Sequence, residues 1–96
     1  MAVCNVSLQV LPIVPDERLY EVVDKAIEVI QKSGVKYVVG PMETTMEGEL
    51  DELLEIVKQA QQACIDAGAK RIASVVKIGY SVEGVSIEEK IAKYRQ

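Results

Sequence analysis

Val3-Cys4-Asn5-Val6-Ser7-Leu8-Gln9-Val10-Leu11 alternates along its whole length. Cys4, Val6, Leu8 and Val10 fall on one side, with Val3, Asn5, Ser7, Gln9 and Leu11 on the other. A period of two is the signature of a strand with one apolar face and one mixed face. Pro12 and Pro15 follow, and proline cannot donate to a ladder, so regular pairing should fade near residue 12. Asp16 is then placed to cap a helix.

From Glu17 to Ser33 the period changes. Leu19, Val22, Val23, Ala26, Ile27 and Ile30 recur at helical spacing, and Gly34 supplies a stop. Val35 to Gly40, rich in β-branched residues, predicts a second strand, the Gly40-Pro41 turn reverses the chain, and Met42 to Glu47 returns as a short third strand. Gly48 opens a second helix with an inner stripe of Leu50, Leu53, Leu54, Val57, Ala60, Cys64 and Ala67, ended by Gly68. Arg71 to Gly79 is a fourth strand. Ser86 to Tyr94 predicts a short third helix, with Ser86 and Glu89 forming a capping box and Ile87, Ile91 and Tyr94 a narrow apolar edge.

The order βαββαβ defines an α+β, ferredoxin-like fold: an antiparallel four-stranded sheet, two helices on one face and a short C-terminal helix. Residues 1–96 are expected to form one domain, with strands 1 and 3 central. Two helices leave the other sheet face bare, although it carries Val3, Val38, Ala73 and Val75, so burial against a second copy is expected.

Bulk properties narrow the function. Eleven Lys and Arg stand against 15 acids, a net charge of -4, which disfavours nucleic acid and anionic membranes as partners. The strands also lack the aromatics that stack RNA bases. No basic leader or long apolar run is present in the sequence, and a cytoplasmic location is expected. Cys4 and Cys64 have no CxxC spacing and no histidine beside them, so we expect two reduced core thiols, no metal and no cofactor.

The same residues argue against catalysis. Without histidine the usual proton shuttle near neutrality is missing, and neither cysteine has an activating neighbour in sequence. Glu43 and Glu47 in the hairpin read more simply as solvated surface, and Gly48 and Gly84 stand alone where a phosphate cradle needs a glycine-rich loop.

Asn5, Ser7 and Gln9 are the informative set: three hydrogen-bonding side chains at spacing two on a central strand. Once covered, each needs a partner or costs about 1–3 kcal/mol. A bound heterocycle, ordered water or a neighbouring subunit would each serve.

Asn5-Val6-Ser7-Leu8-Gln9-Val10-Leu11-Pro12, followed by Gly40-Pro41-Met42-Glu43-Thr44-Thr45-Met46-Glu47-Gly48-Glu49, resembles the YkoF-like family of small thiamine-binding proteins. Ala67-Gly68-Ala69-Lys70-Arg71 and the strand after it extend the likeness. The resemblance implies a ferredoxin-like fold, association into homodimers or homotetramers through the sheet face, and a site for thiamine or its hydroxymethylpyrimidine part. Carried onto matching positions, it points to Ser7, Gln9, Thr44 and Thr45, with Asn5 and Glu43 beside them.

The expected chemistry is recognition of an aminopyrimidine by a planar amide such as Gln9, with hydroxyls at the edges. A thiazolium would need Glu43, Glu47 or Tyr37, though the parity of Tyr37 points it toward the helices. Lys77 shares the bare face, where an ion pair with Glu43 or Glu47 is the simpler role. With little other concentrated positive charge, an unphosphorylated ligand is expected. The competing expectation is a structural or regulatory assembly module whose polar stripe merely bridges subunits. Which of Thr44 and Thr45 faces the site depends on register.

Overall fold

The computed structural model describes residues 2–95. β1 (Cys4–Pro12), α1 (Leu19–Ser33), β2 (Lys36–Val39), β3 (Thr44–Gly48), α2 (Leu50–Asp66), β4 (Ile72–Gly79) and α3 (Ile87–Ile91) follow the expected order. The sheet order is β2-β3-β1-β4 and every pairing is antiparallel. The fold is ferredoxin-like α+β.

One face of the sheet is sealed by α1 and α2. Cys4, Val6, Leu8 and Met46 from the strands meet Val22, Ala26 and Ile30 from α1 and Leu53, Ile56, Val57, Ala60 and Cys64 from α2, all buried. Tyr37 packs against the same core, as its parity with Met46 requires. Both cysteines are free and buried, and burial pushes each thiol above its ordinary pKa. Gly34 ends α1 with φ +84°, a conformation that a β-carbon would strain.

The start of α1 differs from the expectation. Asp16–Arg18 form a 3-10 turn, closed by the Arg18 amide donating to the Pro15 carbonyl at 2.8 Å, and no side chain caps α1. Pro15 supplies the turn's acceptor from the backbone, so the Asp16 carboxylate is not needed there. Arg18 instead sends its guanidinium 2.8 Å to the Ala67 carbonyl, satisfying the C-terminal end of α2.

The second difference concerns the face expected to be bare. After β4 the chain turns at Gly84, where φ is +91°, and the Val85 amide donates to the Val3 carbonyl at 3.0 Å. That bond aims α3 back across the end of the open face. Ser86 caps it as the sequence predicts, accepting from the Glu89 amide at 3.1 Å. Ile87 is buried beneath it, whereas Tyr94 is exposed. Among the described residues, no helix is long and apolar enough to cross a membrane.

Candidate functional site

The strand register lays the open face out in rows. Lys36, Glu47, Asn5 and Gly79 form one row across the four strands, and Val38, Thr45, Ser7 and Lys77 form the next. α3 is fastened over the first row. The Ile87 amide donates to Glu47 Oε1 at 2.7 Å, and Lys36 Nζ lies 2.6 Å from Glu88 Oε1. Beside that helix, spanning both rows, a cleft of about 450 Å³ remains, floored by Asn5, Ser7, Val38 and Thr45 and walled by Ile87 and Ile91 of α3.

Inside the cleft most polar groups are partnered. Ser7 Oγ and Thr45 Oγ1 are 2.7 Å apart and share a hydrogen bond. Lys77 Nζ lies 2.7 Å from Glu43 Oε1, the expected ion pair. That contact is the main reason the Glu43 carboxyl is held below the usual glutamate range; partial burial opposes it, and the Ser7 hydroxyl assists it.

Asn5 is the buried side chain of the lining left without a partner. It is only 4% exposed, yet neither its Oδ1 nor its Nδ2 has a hydrogen-bond partner. An amide left so costs about 1–3 kcal/mol, a penalty rarely kept without a use for the free donor and acceptor.

Of the six side chains singled out in the sequence, the structure brings Asn5, Ser7, Glu43 and Thr45 together around this cleft. Thr44 stands opposite Leu8 and Val39 on the helix side, 5% exposed, so Thr45 is the hairpin threonine facing the open sheet. Gln9 keeps the outward parity, opposite Val75, but pairing with β3 ends one residue earlier at Leu8–Thr44. It therefore lies past the hairpin and borders a separate groove beside Tyr20, Val39 and Met42. Glu43 borders both spaces.

Sequence reasoning missed the α3 wall: Ile87, Lys90, Ile91 and the following Arg95. Their signal was the capping box with isoleucines four apart, on a chain whose two long helices already filled one face. Among the described residues, no cluster of His, Cys, Asp or Glu could hold a metal ion.

This arrangement has close counterparts. The family model described as thiamine-binding protein matches residues 6–95, nearly the whole chain and all of the cleft except Asn5. The chain belongs to the thiamine-binding protein family. The YkoF-like resemblance is thereby borne out at the level of the family. A UPF0045 protein of Clostridium perfringens is 63% identical over 95 residues, covering 99% of this chain and 100% of that protein.

Among solved structures, a domain of unknown function, DUF77, from Bacillus cereus superposes with a TM-score of 0.94 at 54% identity, covering 99% of this chain and 92% of the other. A Thermotoga maritima protein, provisionally assigned to thiamine biosynthesis/salvage, gives a TM-score of 0.91 at 45% identity, with 97% and 99% covered. Both solved structures thus share this fold with the chain over nearly its whole length.

Proposed function

We propose that the cleft binds thiamine or its hydroxymethylpyrimidine moiety without transforming it, as a carrier, buffer or sensor of the vitamin. The observation that carries this reading is the unpartnered Asn5 amide. An aminopyrimidine presents a ring-nitrogen acceptor beside an exocyclic amine donor, and a primary amide meets that pair in one plane. Asn5, not Gln9, is the amide at the cleft. Ser7 and Thr45 offer hydroxyls at the ring's edge, while Val38, Ile87 and Ile91 supply the apolar contact that a flat heterocycle needs.

Family membership supports the vitamin class, as does the provisional thiamine assignment of the Thermotoga relative. A non-catalytic role is supported by the side chains present: the sequence has no histidine, and burial raises both thiols away from the reactive thiolate. Two free buried cysteines suit a reducing compartment, in keeping with a cytoplasmic protein. Leu11 and Val75 remain exposed on the sheet face beyond α3, and a second copy covering them would make the protein a homodimer or homotetramer.

Calorimetric titration of ligand-stripped protein tests the reading. Thiamine or hydroxymethylpyrimidine should give saturable heat at one site per chain, and silence with both would overturn it. The same exposed apolar residues favour the second reading, an assembly module. The oligomeric state of the titrated wild-type protein separates the two: a stable oligomer silent to both compounds supports assembly, and saturable heat supports the vitamin site.

A further inference from the structure

Positive charge gathers at this cleft although the chain as a whole is acidic. Lys77, Lys90 and Arg95 line it, against Glu43 as the lone carboxylate of the lining. Lys77 is consumed by Glu43 at 2.7 Å. Two carboxylates beside the lining are also engaged: Glu47 accepts from the Ile87 amide and Glu88 pairs with Lys36. Lys90 and Arg95 make no ion pair among the described residues.

Lys90 reaches the floor of the cleft at a glycine. A β-carbon on Gly79 would lie 2.8 Å from Lys90 Nζ and 3.9 Å from the Asn5 β-carbon. The ammonium thus lies close against the backbone of β4 at Gly79, the residue paired with Asn5 across the sheet. Unpaired cations lining the same cleft as a sheltered donor and acceptor are a complement for a polar ring with an anionic substituent.

Resting on the pyrimidine reading, we propose that the ligand of this cleft is a phosphate monoester, with Lys90 and Arg95 of the C-terminal segment holding the phosphate while Asn5 meets the ring. The same two cations disfavour the bare thiazolium of unphosphorylated thiamine, which is itself positive. This revises the expectation of an unphosphorylated ligand, which followed from charges scattered in sequence that α3 brings together in space. Two compounds share the chemistry, the phosphate ester of hydroxymethylpyrimidine and thiamine monophosphate.

The test is a calorimetric titration of four compounds, hydroxymethylpyrimidine, its phosphate, thiamine and thiamine monophosphate, into wild-type protein and into Lys90→Gln/Arg95→Gln. In the wild type each phosphate ester should bind at least roughly ten-fold more tightly than its parent alcohol, an advantage that shrinks as salt is raised. In the double variant, checked for native circular dichroism, ester and alcohol should bind alike. The tighter of the two esters identifies the physiological source.

Equal binding of ester and alcohol to the wild type would overturn the phosphate proposal and leave the pyrimidine reading standing. An ester advantage that survives in the double variant would overturn the assignment to Lys90 and Arg95. Failure of all four compounds would overturn both the proposal and the reading beneath it.

Discussion

The two faces of the sheet solve opposite problems with the same strands. On the helix side, Cys4, Val6, Leu8 and Met46 are at most 4% exposed against two long amphipathic helices. On the other side, a helix of five residues is held by Glu47 and Lys36 over a row that contains an orphaned amide. Most of the apolar burial that stabilises the molecule lies on the first face. The second keeps an unsatisfied group and a cleft, the usual mark of a surface shaped for something other than stability.

Three substitutions sharpen that contrast. The largest effect belongs to Leu53→Ala: its side chain is fully buried between α2 and the sheet, so the cavity should cost about 2–5 kcal/mol in denaturant unfolding. A loss below that range would mean that the helix-side packing is looser than its burial indicates. Asn5→Leu should do the reverse. Replacing an unpartnered buried amide with an apolar side chain of similar volume should raise stability by about 1–2 kcal/mol while abolishing pyrimidine binding. A destabilised variant would show that the amide is already satisfied in the free protein.

The smallest effect concerns pH. The Glu43 carboxyl titrates below its ordinary value because of Lys77, so the pair's contribution is fully present above the unfolded-state pKa. It is lost as pH falls from the ordinary glutamate range through the lowered folded value. Lys77 is 67% exposed, which limits the contribution to about 0–1 kcal/mol. Glu43→Gln should accordingly flatten the acid limb of a stability-against-pH curve, and an unchanged acid limb would remove the ion pair from the account.

The contrast also explains what the sequence disclosed. Period-two alternation in β1 and helical spacing in α1 and α2 each have a single structural solution once the apolar face must be buried, so topology and core were legible. So were the αL stop at Gly34 and the Ser86 cap, because both are local chemistry. Parity placed Asn5 and Ser7 on the open face, but it could not choose between Thr44 and Thr45, since a slip of one residue exchanges the faces. Nor could it show that β3 stops short of Gln9.

The position of α3 was the least legible. Ile87 and Ile91 announce an apolar edge without saying where it docks. The docking is decided by Gly84, by the Val3 carbonyl and by the Glu47 carboxylate, residues distant in sequence with ordinary individual preferences. The charges at Lys90 and Arg95 likewise acquire meaning only after that turn is made.

The most direct measurement is the side-chain amide resonance of Asn5, followed by NMR on ¹⁵N-labelled protein while hydroxymethylpyrimidine phosphate is added. A donor without a partner that gains one on binding should move downfield and saturate with the calorimetric occupancy. An Asn5 NH₂ signal that stays in place while the ligand binds would contradict the assignment of this amide, and with it the site built around it.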